Sequence, residues 1–208
     1  MQKIAILDYG MGNLHSVAKA IEKVSGKQKI LISKDKKEIK DSDKLVIPGV
    51  GAIKDCMNSI VSLGMDDLIR NFSKEKPILG VCVGMQLLFQ ESAENGGTKC
   101  LGLIDGFLDK LKAEEGLKVP HMGWNKVTQK INHPMFKGIS QDAFFYFVHS
   151  YAVLDSKNKA STTNHGQDFV SSAYKENIFA VQFHPEKSQN DGLRLYENFI
   201  SWVGESSR

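Results

Sequence analysis

A recurring unit in the first half of the chain constrains the fold more than any other feature: a short apolar run that stops at a glycine-rich turn. Lys3–Tyr9 ends at Gly10-Met11-Gly12-Asn13, and Lys44–Ile47 ends at Pro48-Gly49-Val50-Gly51. Pro77–Val81 runs into Gly80-Val81-Cys82-Val83-Gly84, and Ile30–Ile32 adds a further run. A strand without polar alternation has no face for water, so it must be covered on both sides. The segments between supply the cover. Leu14, Val17, Ala18, Ile21 and Val24 share one helical face. Ile60, Leu63, Leu68, Ile69 and Phe72 read as helical cover, and Met85–Glu91 reads as a helix directly after the third run. The alternation predicts an α/β chain with a mostly parallel central sheet and flanking helices.

The pattern changes after about residue 100. Phe107–Leu111, Trp124–Thr128, Phe144–Val153, Phe169–Tyr174 and Ile178–Phe183 read as strands, with Lys175-Glu176-Asn177 as the turn between the last two. This predicts an antiparallel extension of the sheet. Asp191–Val203 closes the chain as a helix, offering Leu193, Leu195, Tyr196, Phe199, Ile200 and Val203 for packing. No repeat or linker divides the sequence, so residues 1–208 are expected to form one domain. Ligands of open parallel sheets bind beyond the carboxyl ends of the strands. The three glycine-rich loops should therefore share one edge, and that edge is where a site is expected.

Charge and cysteine usage remove several classes of function. A net charge of +3 is too small to mark a nucleic-acid or membrane surface. The lysines between Lys27 and Lys44 are interrupted by acids and read as a solvated face. Cys56, Cys82 and Cys100 form no CxxC pair, which argues against a zinc site or a disulfide framework. His15, His121, His133 and His165 show no ligand spacing, so no metal is expected, and no cofactor either. No apolar run approaches the ~20 residues that span a bilayer. An odd cysteine count and a start directly in a strand fit a cytoplasmic chain.

Gly80-Val81-Cys82-Val83-Gly84 joins a strand to a helix and has the form of a nucleophile elbow with sulfur in place of oxygen. Its tight turn needs small flanking residues, and a helix N-terminus favours thiolate over thiol. A buried structural cysteine is the bland alternative. Near the other end, Phe183-His184-Pro185-Glu186 places a base and a carboxylate two residues apart, so on an extended segment they would share a face. A carboxylate fixes the tautomer of a histidine base and stabilises its imidazolium. By itself the pair could be a surface contact. Taken with the elbow, the residues make a Cys82–His184–Glu186 triad. The Val83 N–H is placed to stabilise an oxyanion, and the Pro48–Gly51 loop, through Val50 or Gly51, is the candidate for a second donor. Turn residues without that role are the alternative for Gly49 and Gly51. Cys56 and Cys100 read as structural.

These residues resemble the class I, triad-type glutamine amidotransferases. The likeness rests on Gly80–Gln86, on Val181-Gln182-Phe183-His184-Pro185-Glu186, and on the Pro48–Gly51 loop. Asp8–Leu14, Val119-Pro120-His121-Met122-Gly123-Trp124-Asn125, Phe147–Tyr151 and Glu186-Lys187-Ser188 narrow it to the glutaminase subunits of imidazole glycerol phosphate synthases. The resemblance covers residues 3 to about 203. It implies a flavodoxin-like class I glutamine amidotransferase fold and hydrolysis of L-glutamine through a thioester on Cys82. It also implies contacts to glutamine from Gly49, Gly51, Gln86, His149, Ser150 and Tyr151. The implied partner is a separate (βα)8-barrel cyclase that receives the ammonia and forms imidazole glycerol phosphate. Asn13, Pro120, Met122, Trp124 and Lys187 are expected to face it, although Met122 and Trp124 could instead be core. Val50 sits between two glycines, so its peptide can reorient cheaply, and activity is expected to rise when the nucleotide-loaded partner binds.

Val83, Lys54 and His165 depart from the residues usual in the subfamily (leucine, a small residue and tyrosine). They leave open a paralogue that feeds ammonia to another amination system, such as one building surface-polysaccharide sugars. Two other readings differ in class. One is a non-catalytic flavodoxin-like binding module. Gly10-Met11-Gly12-Asn13 speaks weakly for it, lacking a full dinucleotide fingerprint or a P-loop lysine. The other is a stand-alone cysteine hydrolase, against which the Val119–Asn125 motif argues.

Overall fold

The computed structural model describes residues 1–113 and 116–205. The first half alternates as expected: β1 (Lys3–Leu7), α1 (Leu14–Ser25), β2 (Lys29–Ser33), α2 (Lys36–Lys40), β3 (Lys44–Ile47), α3 (Ile53–Ser62), α4 (Met65–Glu75), β4 (Ile78–Val81) and α5 (Val83–Gln86). Short strands β5 (Glu91–Ser92), β6 (Thr98–Lys99) and β7 (Phe107–Lys110) follow. Then come β8 (His121–Gln129), β9 (Ala143–His149), β10 (Tyr151–Val153), β11 (Lys159–His165), β12 (Gln167–Lys175), β13 (Ile178–Val181) and α6 (Gln189–Ser201).

Nine strands form the main sheet in the order β2-β1-β3-β4-β13-β12-β11-β8-β9. The first five are parallel neighbours, and the remainder extend it antiparallel. A second sheet has the order β10-β7-β5-β6. The apolar strands lie where their composition demands. Every residue of β3, β4 and β13 is buried, with α1 packed on α6 and α3 on α4. Apolar side chains from both sheets join one hydrophobic core.

Local chemistry explains where the structure differs from the pattern. The apolar stretch from Ile60 to Phe72 is divided between two helices, because Gly64 turns the chain in the left-handed region at φ 59°, ψ 38°. The helix expected over Met85–Glu91 ends at Gln86. Leu87, Leu88 and Phe89 are all fully buried, which one face of a surface helix cannot achieve, and the chain tightens through Leu88 N–H to Met85 O and Phe89 N–H to Gln86 O. Phe144–Val153 is two strands. β9 alternates buried and open positions up to His149, Ser150 breaks the run, and β10 crosses to pair with β7 in the other sheet. β11 escaped the hydrophobic pattern because two of its buried positions, Ser161 and Thr163, carry hydroxyls. Ser161 Oγ lies 2.9 and 2.6 Å from the hydroxyls of Ser171 and Ser172. α2 is short and buries only Ile39, and it is held by Asp35, whose side chain accepts the Glu38 N–H at 2.8 Å.

The carboxyl ends of β1, β3, β4 and β13 all point to one edge, since these strands are parallel. The loops carrying Gly10–Asn13, Pro48–Gly51, Cys82 and His184 leave from that edge. Among the described residues no helix is long and apolar enough to cross a membrane.

Candidate active site

Cys82 follows β4 directly and holds φ 55°, ψ −114°, a conformation that non-glycine residues rarely adopt. Its N–H bonds the Val181 carbonyl of β13 at 2.8 Å, which ties the turn to the strand that precedes His184. Gly80 and Gly84 are needed for space, not for dihedral freedom. A Cβ at Gly84 would collide with the Ile47 carbonyl. At Gly80 it would sit 2.7 Å from Leu88 Cδ1 and 2.8 Å from the Gly84 carbonyl oxygen. Gly49 belongs to the same close packing, since a Cβ there would lie 2.6 Å from the Gly84 nitrogen and 2.8 Å from Val83 Cβ. Because α5 lasts a single turn, its macrodipole is small. The unpaired N–H groups of a first helical turn are what it offers to an anion beside Cys82.

His184 and Glu186 do not lie on an extended segment as their spacing implied. His184 is extended, but Pro185–Lys187 forms a 3-10 turn with Pro185 at its first position. The turn still brings the side chains together, with His184 Nδ1 2.8 Å from Glu186 Oε1. A carboxylate oxygen accepts, so Nδ1 carries the proton and Nε2 is left for other chemistry. Nε2 is buried and has no hydrogen-bond partner among the described residues. Burial by itself would lower the His184 pKa, but the adjacent Cys82 and then the Glu186 carboxylate outweigh it and hold the pKa well above the ordinary value. The arrangement favours an imidazolium at His184. Supports converge on the pair: Tyr196 OH donates to Glu186 Oε2 at 3.4 Å, and Ser188 Oγ donates to the His184 carbonyl at 2.6 Å. The His184 N–H bonds the Tyr146 carbonyl at 2.9 Å.

Cys82 and His184 line a cavity of about 260 Å³, walled by Val50, Gly51, Val83, Gln86, Glu94, Pro120, Val148, His149, Ser150 and Tyr151. Gly49 is buried behind this wall against Val83 and Gly84. Gln86 is held at both amide hydrogens, donating to the Tyr151 carbonyl at 3.1 Å and to Gln182 Oε1 at 3.0 Å. Its Oε1 alone is therefore open to a ligand. Gln182 Nε2 in turn points at Cys82 Sγ from 3.9 Å. The Val50 carbonyl accepts from Cys56 Sγ at 3.5 Å, and Gly51 adopts φ 89°. Burial raises the Cys56 thiol to about 11 and the Cys100 thiol to about 12, so neither is poised as a thiolate.

Asn13, Pro120 and Lys187 are exposed around the same edge. Met122 and Trp124 are not core residues, being 63% and 46% exposed. Strand alternation puts them on the outer face of β8, where Met122 stands opposite Val148 and Trp124 opposite Tyr146. Trp124 meets Tyr146 edge-on at 6.2 Å between ring centroids, and Lys187 Nζ lies 5.6 Å from the Tyr146 ring centre. His165 takes an aromatic's part by stacking on His121 at 4.1 Å, and Lys54 is exposed away from the cavity wall. Several residues at the site were not among the site candidates read from the sequence: Gln182, Glu94, Tyr196, Ser188 and His121. For Glu94 and Tyr196 no local pattern exists, because distant segments bring them in. Gln182 lay within the motif around His184, and only its orientation shows its contact. Among the described residues no group of three or more His, Cys, Asp or Glu is placed to hold a metal ion.

A mixed α/β sheet with a cysteine on a strained elbow and a buried His–Glu pair beside it has the arrangement of the cysteine-nucleophile hydrolases. The family model for class-I glutamine amidotransferases matches residues 5–202, and the chain belongs to that family. It is similar to imidazole glycerol phosphate synthase subunit HisH of Pseudomonas putida, 51% identical over 98% of this chain and 99% of that one. The Methylococcus capsulatus protein of the same name is 46% identical over the full length of both. Among solved structures, PurLQS from Thermotoga maritima superposes with a TM-score of 0.72 over 97% of this chain and 99% of that one, and at 18% identity it speaks for the fold alone.

Proposed function

We propose that this chain is the glutaminase subunit of an imidazole glycerol phosphate synthase, releasing ammonia from L-glutamine for a cyclase partner in histidine biosynthesis. The observation that carries the chemistry is the meeting of Cys82, His184 and Gln86 in one cavity, with Glu186 holding His184 from behind. The full-length likeness to the synthase subunits carries the pathway. Residues 1–208 act as a single glutaminase domain, a reading supported by the one core that joins both sheets.

The steps follow from the geometry. The Cys82 thiolate attacks the side-chain amide carbon of glutamine, and the amide oxygen takes the negative charge. Val83 N–H, at the open end of α5, and an N–H of the Val50–Gly51 loop are the donors for that oxygen. The His184 imidazolium gives its Nε2 proton to the leaving nitrogen, and ammonia departs with a thioester left on Cys82. Neutral His184 then takes a proton from water as the water attacks the thioester, and glutamate leaves. Glu186 keeps His184 on one tautomer through both steps. Gln86 Oε1 accepts from the substrate, and the Glu94 carboxylate on the cavity wall complements its α-ammonium. Ser150 and Tyr151 border the ligand from the far side, and Gly49 lets the elbow seat.

The partner is a (βα)8-barrel cyclase seated over the cavity mouth on Asn13, Pro120, Met122, Trp124 and Lys187. An exposed apolar and aromatic patch beside a reactive cavity marks an interaction surface. The deciding experiment measures glutamine hydrolysis by wild type and Cys82→Ala, each alone and with the organism's cyclase subunit and its nucleotide ligand. The proposal expects hydrolysis that rises strongly with the loaded cyclase and vanishes in Cys82→Ala. Cysteine-dependent hydrolysis that ignores the cyclase would assign the chain to another acceptor, and full activity in Cys82→Ala would refute the chemistry.

A further inference from the structure

Two buried histidines outside the triad form a hydrogen-bonded pair that the mechanism above does not use. His121 on β8 and His149 on β9 stand opposite each other in the strand register, and His121 Nδ1 is 3.0 Å from His149 Nε2. Every proton in their surroundings can be assigned. His149 Nδ1 lies 2.9 Å from the Tyr151 carbonyl, which can only accept, so Nδ1 carries the proton. In a neutral ring Nε2 must then accept, and His121 Nδ1 donates to it. His121 Nε2 is thereby an acceptor, met by Asn125 Nδ2 at 3.2 Å. The Asn125 amide is itself oriented, since its Oδ1 accepts the Lys126 N–H at 2.8 Å and its Nδ2 also donates to the Asn164 carbonyl at 2.8 Å.

Both rings are neutral at ordinary pH. Burial draws His121 down to about 4 and His149 to about 3, with the neighbouring His165 adding to both and His184 to the latter. His121 is also clamped in place, stacked between Phe147 at 4.8 Å and His165 at 4.1 Å. The relay ends at the Tyr151 carbonyl, where Gln86 also donates. That carbonyl lies just past Ser150, where the chain leaves one sheet for the other: the Ser150 carbonyl accepts the Leu111 N–H at 2.9 Å and Tyr151 stands opposite Lys110, while the Tyr151 carbonyl takes side-chain donors.

We propose that His121 and His149 are positioning residues for the glutamine cavity: a one-way relay of hydrogen bonds from Asn125 through both imidazoles fixes the Tyr151 carbonyl, which orients Gln86. The nature of the bound substrate rests on the function proposed above; the relay itself does not. It gives the Tyr151 carbonyl a side-chain anchor beside the strand pairing that holds the Ser150 crossing to β7. It also links the strand carrying Met122 and Trp124 to the residue that meets the substrate.

The test uses the chain assembled with its cyclase partner. His149→Phe keeps the ring volume and removes both polar atoms; the KM for glutamine should rise about tenfold, with a smaller change in kcat. His149→Asn sets an amide nitrogen near the Nδ1 position and should restore most of that loss, which a role in packing alone would not allow. Nitrogen-15 spectra of wild type should show His121 and His149 both neutral with the proton on Nδ1. A wild-type KM in His149→Phe, no recovery in His149→Asn, or a proton on Nε2 of either ring would overturn the proposal. If wild type hydrolyses no glutamine, the function proposed above fails, and the nitrogen-15 spectra still decide the relay.

Discussion

Cys82 sits in a backbone conformation of a kind that costs about 1–3 kcal/mol and persists only where its surroundings enforce it. Here the enforcement is contact between backbones: Gly84 lies against Ile47, and Gly49 against Gly84. His184 is defined by what its two nitrogens meet: Nδ1 lies on Glu186, and Nε2 has no hydrogen-bond partner among the described residues. Replacing Glu186 with glutamine keeps the shape and removes the charge that stabilises the imidazolium. Glutaminase kcat should fall by about 10²-fold or more in Glu186→Gln with little change in thermal midpoint. A kcat within a few-fold of wild type would remove Glu186 from the triad. The elbow and the His–Glu pair were legible because each is written in consecutive residues. Gln182, Glu94 and Tyr196 were not, because their contacts depend on how separate segments meet.

At the scale of elements, α6 does more than cover the sheet. Gly192 brings the helix against the Pro185 carbonyl so closely that a Cβ there has no room, and Tyr196 one turn further on reaches Glu186. The helix is the rear support of the turn that carries His184 and Glu186. Gly192→Ala should force α6 away from that turn, lowering stability by about 1–3 kcal/mol and reducing kcat together with it. Urea unfolding and steady-state hydrolysis on the same sample check this, and an unchanged kcat would show that α6 does not set the His184–Glu186 geometry. The strand β11 and the break at Ser150 were hidden for a physical reason. Hydrophobic periodicity records burial against apolar partners, whereas β11 buries serine hydroxyls against one another, and Ser150 lies in a run whose composition does not change as it changes sheets.

Two properties belong to the whole molecule. One is the exposed face formed by Met122 and Trp124 with Phe144 beside them. If the cyclase docks on this face, truncating the exposed Trp124 should weaken its binding by about 2 kcal/mol while leaving hydrolysis by the isolated chain unchanged. Calorimetric titration of Trp124→Ala against the cyclase measures this, and wild-type affinity would place the interface elsewhere. The other is response to acid. Burial lowers His121, His133 and His149 to about 4, 4 and 3, below the unfolded value near 6.5. Between those values the unfolded chain binds more protons than the folded one, so their contribution is complete above about pH 6.5 and is lost as pH falls toward 4. The thermal midpoint should drop over that window. His133, stacked on Phe179 far from the cavity, is the clean test, since His133→Asn should flatten the drop. An equal slope in the variant would assign the acid response to other groups.

Sequence alone carried the layered α/β plan, the edge at which the glycine-rich loops meet and the expectation of a triad. Each depends on order along the chain: apolar runs need cover, parallel strands share an edge, and a nucleophile elbow is a local turn. Tertiary structure decided the rest. Which residues wall the cavity, which nitrogen of His184 stays free and where Gln86 points are set by segments from β4, β8, β9 and α6 arriving at one place. No short window of sequence contains that meeting. Met122 and Trp124 show the difference most simply: apolar composition allowed core or surface, and only the pairing of β8 with β9 put them outside.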